Sequence, residues 1–487
     1  MKKQLTLIAI FAMTSIFYRC GSGNDKPEKT ILTTEEKAPS EFNVNFTFYP
    51  PSDLDSNATP QQLLEFAWEE FFALNWKSSY SKDHLRDHPD TTWNFSSDSK
   101  PFPDTLVWET YAHRSELRPY SNNMLGFDVP PHYSYGIPLS PYPGSKASFK
   151  LFDVLDENNE IGSCDMYAHT NSYGKQYEVL YQAKVNKDEY NYVLAHYPKK
   201  AALDSARFYT KRMINDSGFY YHNIKNSCNC PDNYKGISLP CGSRQKGHIG
   251  AMEVKTAWRE LTPKDTASKF LTRTVVYFRK QGNKVYYDNK IYALIGLHII
   301  HKTTHYESFV FATWEHVGVE RDGMGYQLLS QVNGNDSGNV VPSFSRLHPV
   351  TALADSSTNY VHRKLRKMNP NSIWLNYRLI GVQATPTNDT TSFNFFLANY
   401  VVESDPTLND FHGSGIGHPH NGLPNTFYRG SKYTMGGCQG CHGVAQTTLG
   451  TDFSFLLDDV GKPIYSPDLQ GDQASKLQKL IRATRGK

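Results

Sequence analysis

Residues 270–319 read FLTRTVVYFRKQGNKVYYDNKIYALIGLHIIHKTTHYESFVFATWEHVGV. Runs of β-branched and aromatic residues are separated there by turn signals at Gly282-Asn283 and Asp288-Asn289. β-branched and aromatic side chains favour strands, whereas such Gly-Asn and Asp-Asn pairs favour turns. The stretch therefore predicts neighbouring strands of one sheet, and SIWLNYRLIGVQAT at 372–385 predicts a further strand.

Helices are predicted on either side of this sheet region. After Thr59-Pro60, apolar and aromatic residues recur at three- and four-residue spacings up to Leu74, which is typical of a helix with one buried face. Residues 176–216 and 252–261 are also predicted to be helical. Together these patterns predict an α+β fold, with a large mixed helix/sheet body at 56–400 and a small, mainly helical C-terminal segment at 401–487.

The charge of the chain argues against a nucleic-acid partner. The 51 basic and 48 acidic residues among 487 give a net charge of +3. A balance this close to neutral produces no strong field towards a polyanion. We therefore expect no nucleic acid among its partners.

The amino terminus has the pattern of an export signal. Lys2 and Lys3 precede an apolar run that ends just before Cys20, so residues 1–19 are predicted to be a signal peptide. A cysteine at this position resembles a lipoprotein cleavage site, which makes Cys20 the predicted lipidation site. The polar residues that follow predict a flexible tether over 20–55. We expect an exported protein of the cell envelope, periplasm-facing or an outer-membrane lipoprotein, that contacts the lipid membrane through this anchor.

Four further cysteines lie in the body of the chain: Cys164, Cys228, Cys230 and Cys241. In an oxidising compartment an even number of cysteines favours disulfides among them. The alternative is a metal site that combines three of these cysteines with His248, although the spacings match no common zinc pattern.

The segment GCQGCHG at 437–443 contains the C-x-x-C-H motif of covalent haem attachment. Two cysteines three residues apart on one helical turn place their sulfurs beside the two vinyl groups of a porphyrin, and the next histidine reaches the iron. With 7 cysteines and 18 histidines, about 0.004 such motifs are expected by chance in this chain. The sequence therefore predicts one haem c on Cys438, Cys441 and His442. A redox disulfide and half of a zinc site are the alternatives, but neither a βαβ context nor a second cysteine pair is present.

Several blocks besides this motif resemble a bacterial family of large, single-haem, c-type cytochrome-like envelope proteins. They are FAWEEFFALNW at 66–76, VWET at 107–110, MEVKTAWREL at 252–261, IGLHIIHKT at 295–303, FATWEHV at 311–317, LANYV at 397–401 and CQGCHGVAQ at 438–446. The resemblance implies that the body and the haem segment form one functional unit. The chain departs from the family in the Gly/His-rich stretch DFHGSGIGHPHNGLPN at 410–425.

Three residues of the block at 252–261 are candidates for binding the haem propionates: Lys255, Trp258 and Arg259. Cationic and indole groups donate hydrogen bonds to carboxylates. The simpler alternative is an amphipathic helix with the tryptophan in the core and the charges in solvent.

The second ligand of the iron comes from upstream of the motif or is missing. Residues 443–487 contain neither Met nor His, and Met435 is too close to Cys438 to reach the opposite haem face. His298 or His301 is the predicted ligand, and their odd spacing on a strand allows at most one of them to face the haem. The competing sources are His412, His418 and His420, and a five-coordinate iron is the remaining alternative.

These features predict a redox protein in which the haem exchanges electrons with a partner protein of the cell envelope. The large body is more than electron transfer alone requires. An oxidase- or peroxidase-type enzyme with a pocket in the body is therefore one alternative, and a haem-based sensor or ligand-binding module is another. Whether the protein is an enzyme stays open at this point.

Overall fold

The boundary of the folded unit lies near residue 41. The structure, a computed structural model, describes residues 41–96, 102–158, 169–172, 175–215, 227–230, 234–245, 247–321, 348–402, 426–457 and 464–469. The described residues from Glu41 onward belong to one compact unit. Phe42, Val44 and Leu54 are buried in its core, so residues 41–55 belong to the folded unit and not to the tether that the sequence predicted. Among the described residues, no helix is long and apolar enough to cross a membrane.

A nine-stranded sheet is the centre of the fold. Its strands are β1 (Ala112–His113), β2 (Ser140–Pro141), β3 (His169–Ser172), β4 (Lys175–Val185), β5 (Met252–Glu260), β6 (Thr272–Gln281), β7 (Lys284–His301), β8 (Val310–His316) and β9 (Tyr377–Gln383). The order along the sheet is β1-β4-β5-β7-β8-β9, with β2 and β6 also paired to β7 and β3 to β4. All pairs are antiparallel except β2 with β7. A separate hairpin pairs β10 (Thr426–Tyr428) with β11 (Ser431–Tyr433).

Helices cover the sheet. They are α1 (Pro60–Leu74), α2 (Tyr80–Asp83), α3 (Arg114–Leu117), α4 (Lys187–His196), α5 (Lys200–Asn215), α6 (Gly318–Arg321), α7 (Ala352–Met368) and α8 (Gly437–Val444). Short 3-10 turns lie at Trp108–Thr110, Ser227–Asn229, Ala267–Lys269 and Ile373–Asn376, and a π-helical turn at Ala445–Leu449 follows α8. The large antiparallel sheet and the helices together confirm the predicted α+β class.

The two faces of the sheet are packed by different elements. One face packs against α1 and α7 through a core that contains Trp68, Phe71 and Trp314. The other face packs against α4, α5 and the described C-terminal residues, which include Cys438 and Phe453. With both faces covered, β5 and the second half of β7, residues 292–301, are almost continuously buried. The motif region is thus packed directly on the sheet.

Several secondary-structure predictions are confirmed, and two predictions of helix are wrong. The helix after Thr59-Pro60 is α1, whose N-terminus has a capping box between Thr59 and Gln62. The predicted strands of residues 270–319 are β6, β7 and β8. Residues 252–261 were predicted to be helical but form β5, and the first part of 176–216 forms β4 before α4 and α5 begin.

A buried ion pair holds the loops around α3. Arg86 forms a bidentate pair with Glu116, with N–O distances of 2.8 and 3.0 Å. Its remaining N–H groups donate to the carbonyls of Thr110 and Phe127. Both side chains of the pair are almost fully buried. These hydrogen bonds and the ion pair offset the cost of removing the guanidinium charge from water.

Candidate functional site

Helix α8 carries the motif cysteines and is fixed to the end of the sheet by two glutamines. Gln439, inside the motif, donates to the carbonyls of Ser308 and Ala384 at 3.0 and 2.9 Å. Gln383, at the end of β9, accepts from the N–H of Gln439 at 2.8 Å and donates to the carbonyl of Gly436 at 3.1 Å. The start of α8 is therefore held in one position relative to the sheet.

The residue before the first cysteine has to be glycine. Gly437 has a φ of +68°, and a Cβ placed there would lie 2.4 Å from Nε2 of Gln383. A side chain would be strained in this conformation and would also displace the glutamine that holds the helix. Cys438 follows, with its N–H donating to the carbonyl of Leu397 and its thiol 3.3 Å from the same oxygen. Cys438 is buried, whereas Cys441 is half-buried, and no disulfide joins the two.

His442 has a defined tautomer. Its Nδ1 lies 2.6 Å from the carbonyl oxygen of Phe453, and because a carbonyl only accepts, Nδ1 carries the proton. Within the described part of the chain no hydrogen bond involves its Nε2, which is the unprotonated nitrogen. Burial, together with the charge of Lys255, lowers the pKa of His442 to about 4. The imidazole is therefore neutral at physiological pH and presents a lone pair on Nε2, the form that binds metals.

The turn that supplies this carbonyl is strained. Asp452 and Phe453 both have positive φ values, +52° and +69°. For a bulky residue such as phenylalanine this conformation is rare, and it persists only where surrounding contacts enforce it. Asp452 provides those contacts, since its carboxylate accepts from the backbone N–H of Leu239 at 2.6 Å and pairs with Lys302 at 2.5 Å. Rings of Phe311 and Phe455 lie 4.8 and 4.9 Å from the His442 ring and complete its surroundings.

A row of residues across the sheet faces this region. Lys255 on β5, His298 on β7 and Thr313 on β8 are directly paired neighbours. Ala183 and Gly381 continue the row on β4 and β9. Burial, followed by the charges of Lys255 and His442, lowers the pKa of His298 well below its usual value. His298 is therefore a neutral imidazole in the electrostatic neighbourhood of His442.

His301 lies on the other face of the sheet, as the odd spacing from His298 predicted. Its Nδ1 is 2.5 Å from Oε1 of Glu70 on α1, and its Nε2 is 2.5 Å from the carbonyl oxygen of Ile249. The ring also stacks on Phe66. With both nitrogens engaged by α1 and the loop before β5, His301 serves packing and is separated from the motif by the sheet.

The three candidates for binding the haem propionates lie in different surroundings, because they are on a strand and not on the predicted helix. Lys255 is half-buried on the motif side, 5.4 Å above the ring of Tyr181. Trp258 is in the core on the α1 side, where its Nε1 donates to Thr256 at 2.7 Å. Arg259 is fully buried in a bidentate pair with Asp265. Because the segment is a strand, its residues do not share one helical face. Of the three, Lys255 is the one whose charge acts on both His298 and His442.

The remaining cysteines divide into bonded, unbonded and undescribed ones. Cys228 and Cys241 form a disulfide, which removes both from the alternative metal site with His248. Cys230 is a thiol beside them. The described residues contain no cluster of three or more His, Cys, Asp or Glu side chains suited to a metal ion. Predictions that lie outside the described residues concern the signal peptide and Cys20, Cys164, and the competing histidines His412, His418 and His420.

The chain matches none of the protein-family models, curated proteins or solved structures with which it was compared.

Sequence reasoning did not find the residues that support the motif. Gln383, Gln439 and Phe453 position α8 and His442 through backbone contacts. Gln439 was visible only as a variable position inside the motif, and a backbone carbonyl such as that of Phe453 has no signature in a sequence. Buried Glu253, two residues before Lys255, and Glu189 on α4 were also missed. The one signal in the sequence is Glu253 between the apolar residues Met252 and Val254, because glutamates are rarely buried without a partner. Glu189 on α4 has no such signal.

Proposed function

We propose that this protein is a c-type monohaem redox protein of the cell envelope, with the haem attached to Cys438 and Cys441 and with His442 as an iron ligand. The observation that carries the proposal is the tautomer of His442. An axial histidine typically donates its other ring N–H to a carbonyl or carboxylate, which fixes the ring and leaves the ligating nitrogen unprotonated. The Phe453 carbonyl does this for His442.

The cysteines fit the same group. Cys438 and Cys441 are three residues apart on α8, and the helix begins one residue before the first of them. This is the arrangement that presents two sulfurs to one porphyrin edge. When bound, the haem would supply reversible one-electron chemistry at its iron. The role of the protein is to keep His442 neutral, to exclude water with Phe311 and Phe455, and to fix α8 against the sheet.

In this proposal His298 would hold the haem iron together with His442. Two properties support it: its place in the row with Lys255 on the sheet face that α8 covers, and its neutral state. Thr313 Oγ1 lies 3.5 Å from its Nε2, too far for a strong hydrogen bond, and is itself held at 2.8 Å by Asn399. Lys255 would offer a cation to a haem propionate from the adjacent strand. An iron held by both histidines would supply electron transfer with a partner protein and would not bind a substrate.

The second candidate is a haem enzyme, and a cavity is the observation that favours it. The cavity has a volume of about 210 Å³ and is lined by Ile380, Phe396 and Leu397, among others. Leu397 is also the residue whose carbonyl accepts the N–H of Cys438. Its volume is below that of pockets for drug-sized ligands and suits only a small molecule.

Absorption spectra of the matured protein, oxidised and reduced, with and without carbon monoxide, test the proposal. We expect a covalent haem with a low-spin spectrum, without the thioether-to-iron charge-transfer band of Met ligation, and no change on adding carbon monoxide. Absence of haem would contradict the proposal as a whole. Rapid carbon monoxide binding to the wild type would instead support the enzyme. Export, lipidation at Cys20 and an envelope redox partner are parts of the proposal that cell fractionation tests.

A His298→Ala variant is expected to acquire carbon monoxide binding, because removing the second ligand opens one coordination position. Carbon monoxide should leave the reduced spectrum of the wild type unchanged and should bind to the reduced variant at one molecule per haem. His301→Gln is the matched control, because it keeps a hydrogen-bonding side chain on the opposite face of the sheet and should leave the spectrum unchanged. If His298→Ala remains low-spin and inert to carbon monoxide, the second ligand is another residue.

A further inference from the structure

Glu189 on α4 and Glu253 on β5 form a buried carboxyl pair. The Asn186 side chain accepts from the backbone N–H groups of both Glu189 and Met252, which brings the two glutamates together. Both are almost fully buried, and their carboxyls interact electrostatically. No N–H or O–H of the described residues donates to either oxygen of Glu189. Two ionised carboxylates only accept and repel each other, so a proton has to lie between them.

Few charges surround this pair. Lys302 and Asp452, themselves ion-paired at 2.5 Å, face Glu189, and Asp452 also faces Glu253. Lys255 faces Glu253 from two residues further along β5, and the Ser454 hydroxyl lies beside it. Burial raises the pKa of Glu253 to about 7 and that of Glu189 well above its ordinary value. The pair therefore keeps one proton at neutral pH and takes up a second one close to neutral pH.

The pair is connected to the residues around the motif at two points. Ser454 directly follows Phe453, whose carbonyl holds His442, in the strained turn fixed by Asp452. On the sheet, Lys255 is two residues from Glu253 on β5 and directly opposite His298 on β7. Its charge lowers the pKa of both residues. A change of charge near His442 and His298 thus acts on Glu253 across a buried region, where electrostatic interactions are strong.

We propose that Glu189 and Glu253 are a redox-linked proton site, which takes up one proton from water for each electron that a donor protein delivers to the haem. The proton is released again when the electron passes to an acceptor protein. Electron and proton are balanced in each direction, and no bond other than the O–H bond of the carboxyl is made or broken. The inference rests on the proposed function and adds a proton-coupled reaction to it.

The sign of the coupling follows from the charges. An added electron makes the site less positive, so the doubly protonated pair is stabilised in the reduced protein. Linkage is reciprocal, and proton binding therefore raises the reduction potential. The potential should fall as the pH rises through neutrality, by up to 59 mV for each tenfold decrease in proton concentration, the limit for one proton and one electron.

Redox titrations from pH 5.5 to 8.5, roughly the range around the pKa of Glu253, test this on the intact haem-loaded protein. We expect a pH-dependent potential in the wild type and a nearly flat one in the double variant Glu189→Gln/Glu253→Gln, in which neither position can take up a proton. Glu260→Gln is the matched control, since Glu260 is half-exposed at the other end of the same strand and pairs with Lys290. An unchanged slope in the double variant would overturn the inference.

Infrared difference spectra give a readout that needs no turnover. Reduction of the wild type should change a C=O stretching band of a protonated carboxyl, and the band should shift in deuterated water and disappear in Glu253→Gln. If no carboxyl band responds to reduction in the wild type, the inference is overturned even where a variant fails to fold. A protein without covalent haem would instead contradict the proposed function, so the two failures are distinguishable.

Discussion

Replacing both Cys438 and Cys441 by alanine is expected to abolish the haem that stays with the chain after denaturation. Each thioether bond requires its own sulfur, and the two lie on one turn of α8 with no disulfide between them. The measurement is haem staining after denaturing electrophoresis, with the pyridine haemochrome of the wild type as the reference. Cys441→Ala alone should give a reduced signal, because one attachment point remains.

Cys230→Ala is the matched control for these variants. Cys230 is also a thiol outside any disulfide, but it lies beside the Cys228–Cys241 disulfide and not on α8. Its replacement should leave the covalent haem content unchanged. A full signal in Cys441→Ala would show that this residue does not attach the haem.

An Arg86→Met variant is expected to lose about 3–5 kcal/mol of folding free energy. The substitution keeps much of the side-chain volume but leaves Glu116 as a buried carboxylate without its partner, together with the unpaired carbonyls of Thr110 and Phe127. Guanidinium-induced unfolding followed by tryptophan fluorescence measures the loss, which is read from the midpoint at constant slope.

Two comparisons separate burial from charge in this prediction. Arg244→Met removes an arginine whose pair with Asp55 is largely exposed, and it should cost less than about 1 kcal/mol. The double variant Arg86→Met/Glu116→Gln should be more stable than Arg86→Met, because the buried negative charge is gone. If the double variant is less stable than the single one, the uncompensated charge is not the source of the loss.

The sequence predicted those parts of the fold whose pattern is local. α1 has a helical repeat and a capping box, and the predicted turn at Gly282-Asn283 separates β6 from β7. The turn predicted at Asp288-Asn289 is wrong, because both residues lie within β7. β5 was predicted as a helix because Val254, Ala257, Trp258 and Leu261 recur at helical spacing, although Met252 and Val254 also alternate with charged residues as in a strand. In β4 apolar and polar residues do alternate, but the helical pattern of α4 and α5 follows directly, so the whole range 176–216 was predicted to be helical.

The candidate site was predictable to the same extent. The spacing of Cys438, Cys441 and His442 is local and appears in the sequence, and the haem itself stays a prediction. Choosing between His298 and His301 required knowing which face of β7 is covered by α8 and which by α1. Contacts between Glu189 and Glu253, or between His442 and the carbonyl of Phe453, join separate elements through tertiary packing, and no sequence period reports them.

The burial of Cys438 sets an order of events in the making of this protein. Its thiol lies against the carbonyl of Leu397 and is only 3% exposed once α8 is docked. No lyase or other modifying protein can reach a sulfur in that position. Any group carried by Cys438 has to be joined to the chain while α8 is still undocked, so maturation comes before closure. The hydrogen bonds of Gln383 and Gln439 then fix α8 in its docked position. A chain whose α8 docks too early would remain unmodified at Cys438.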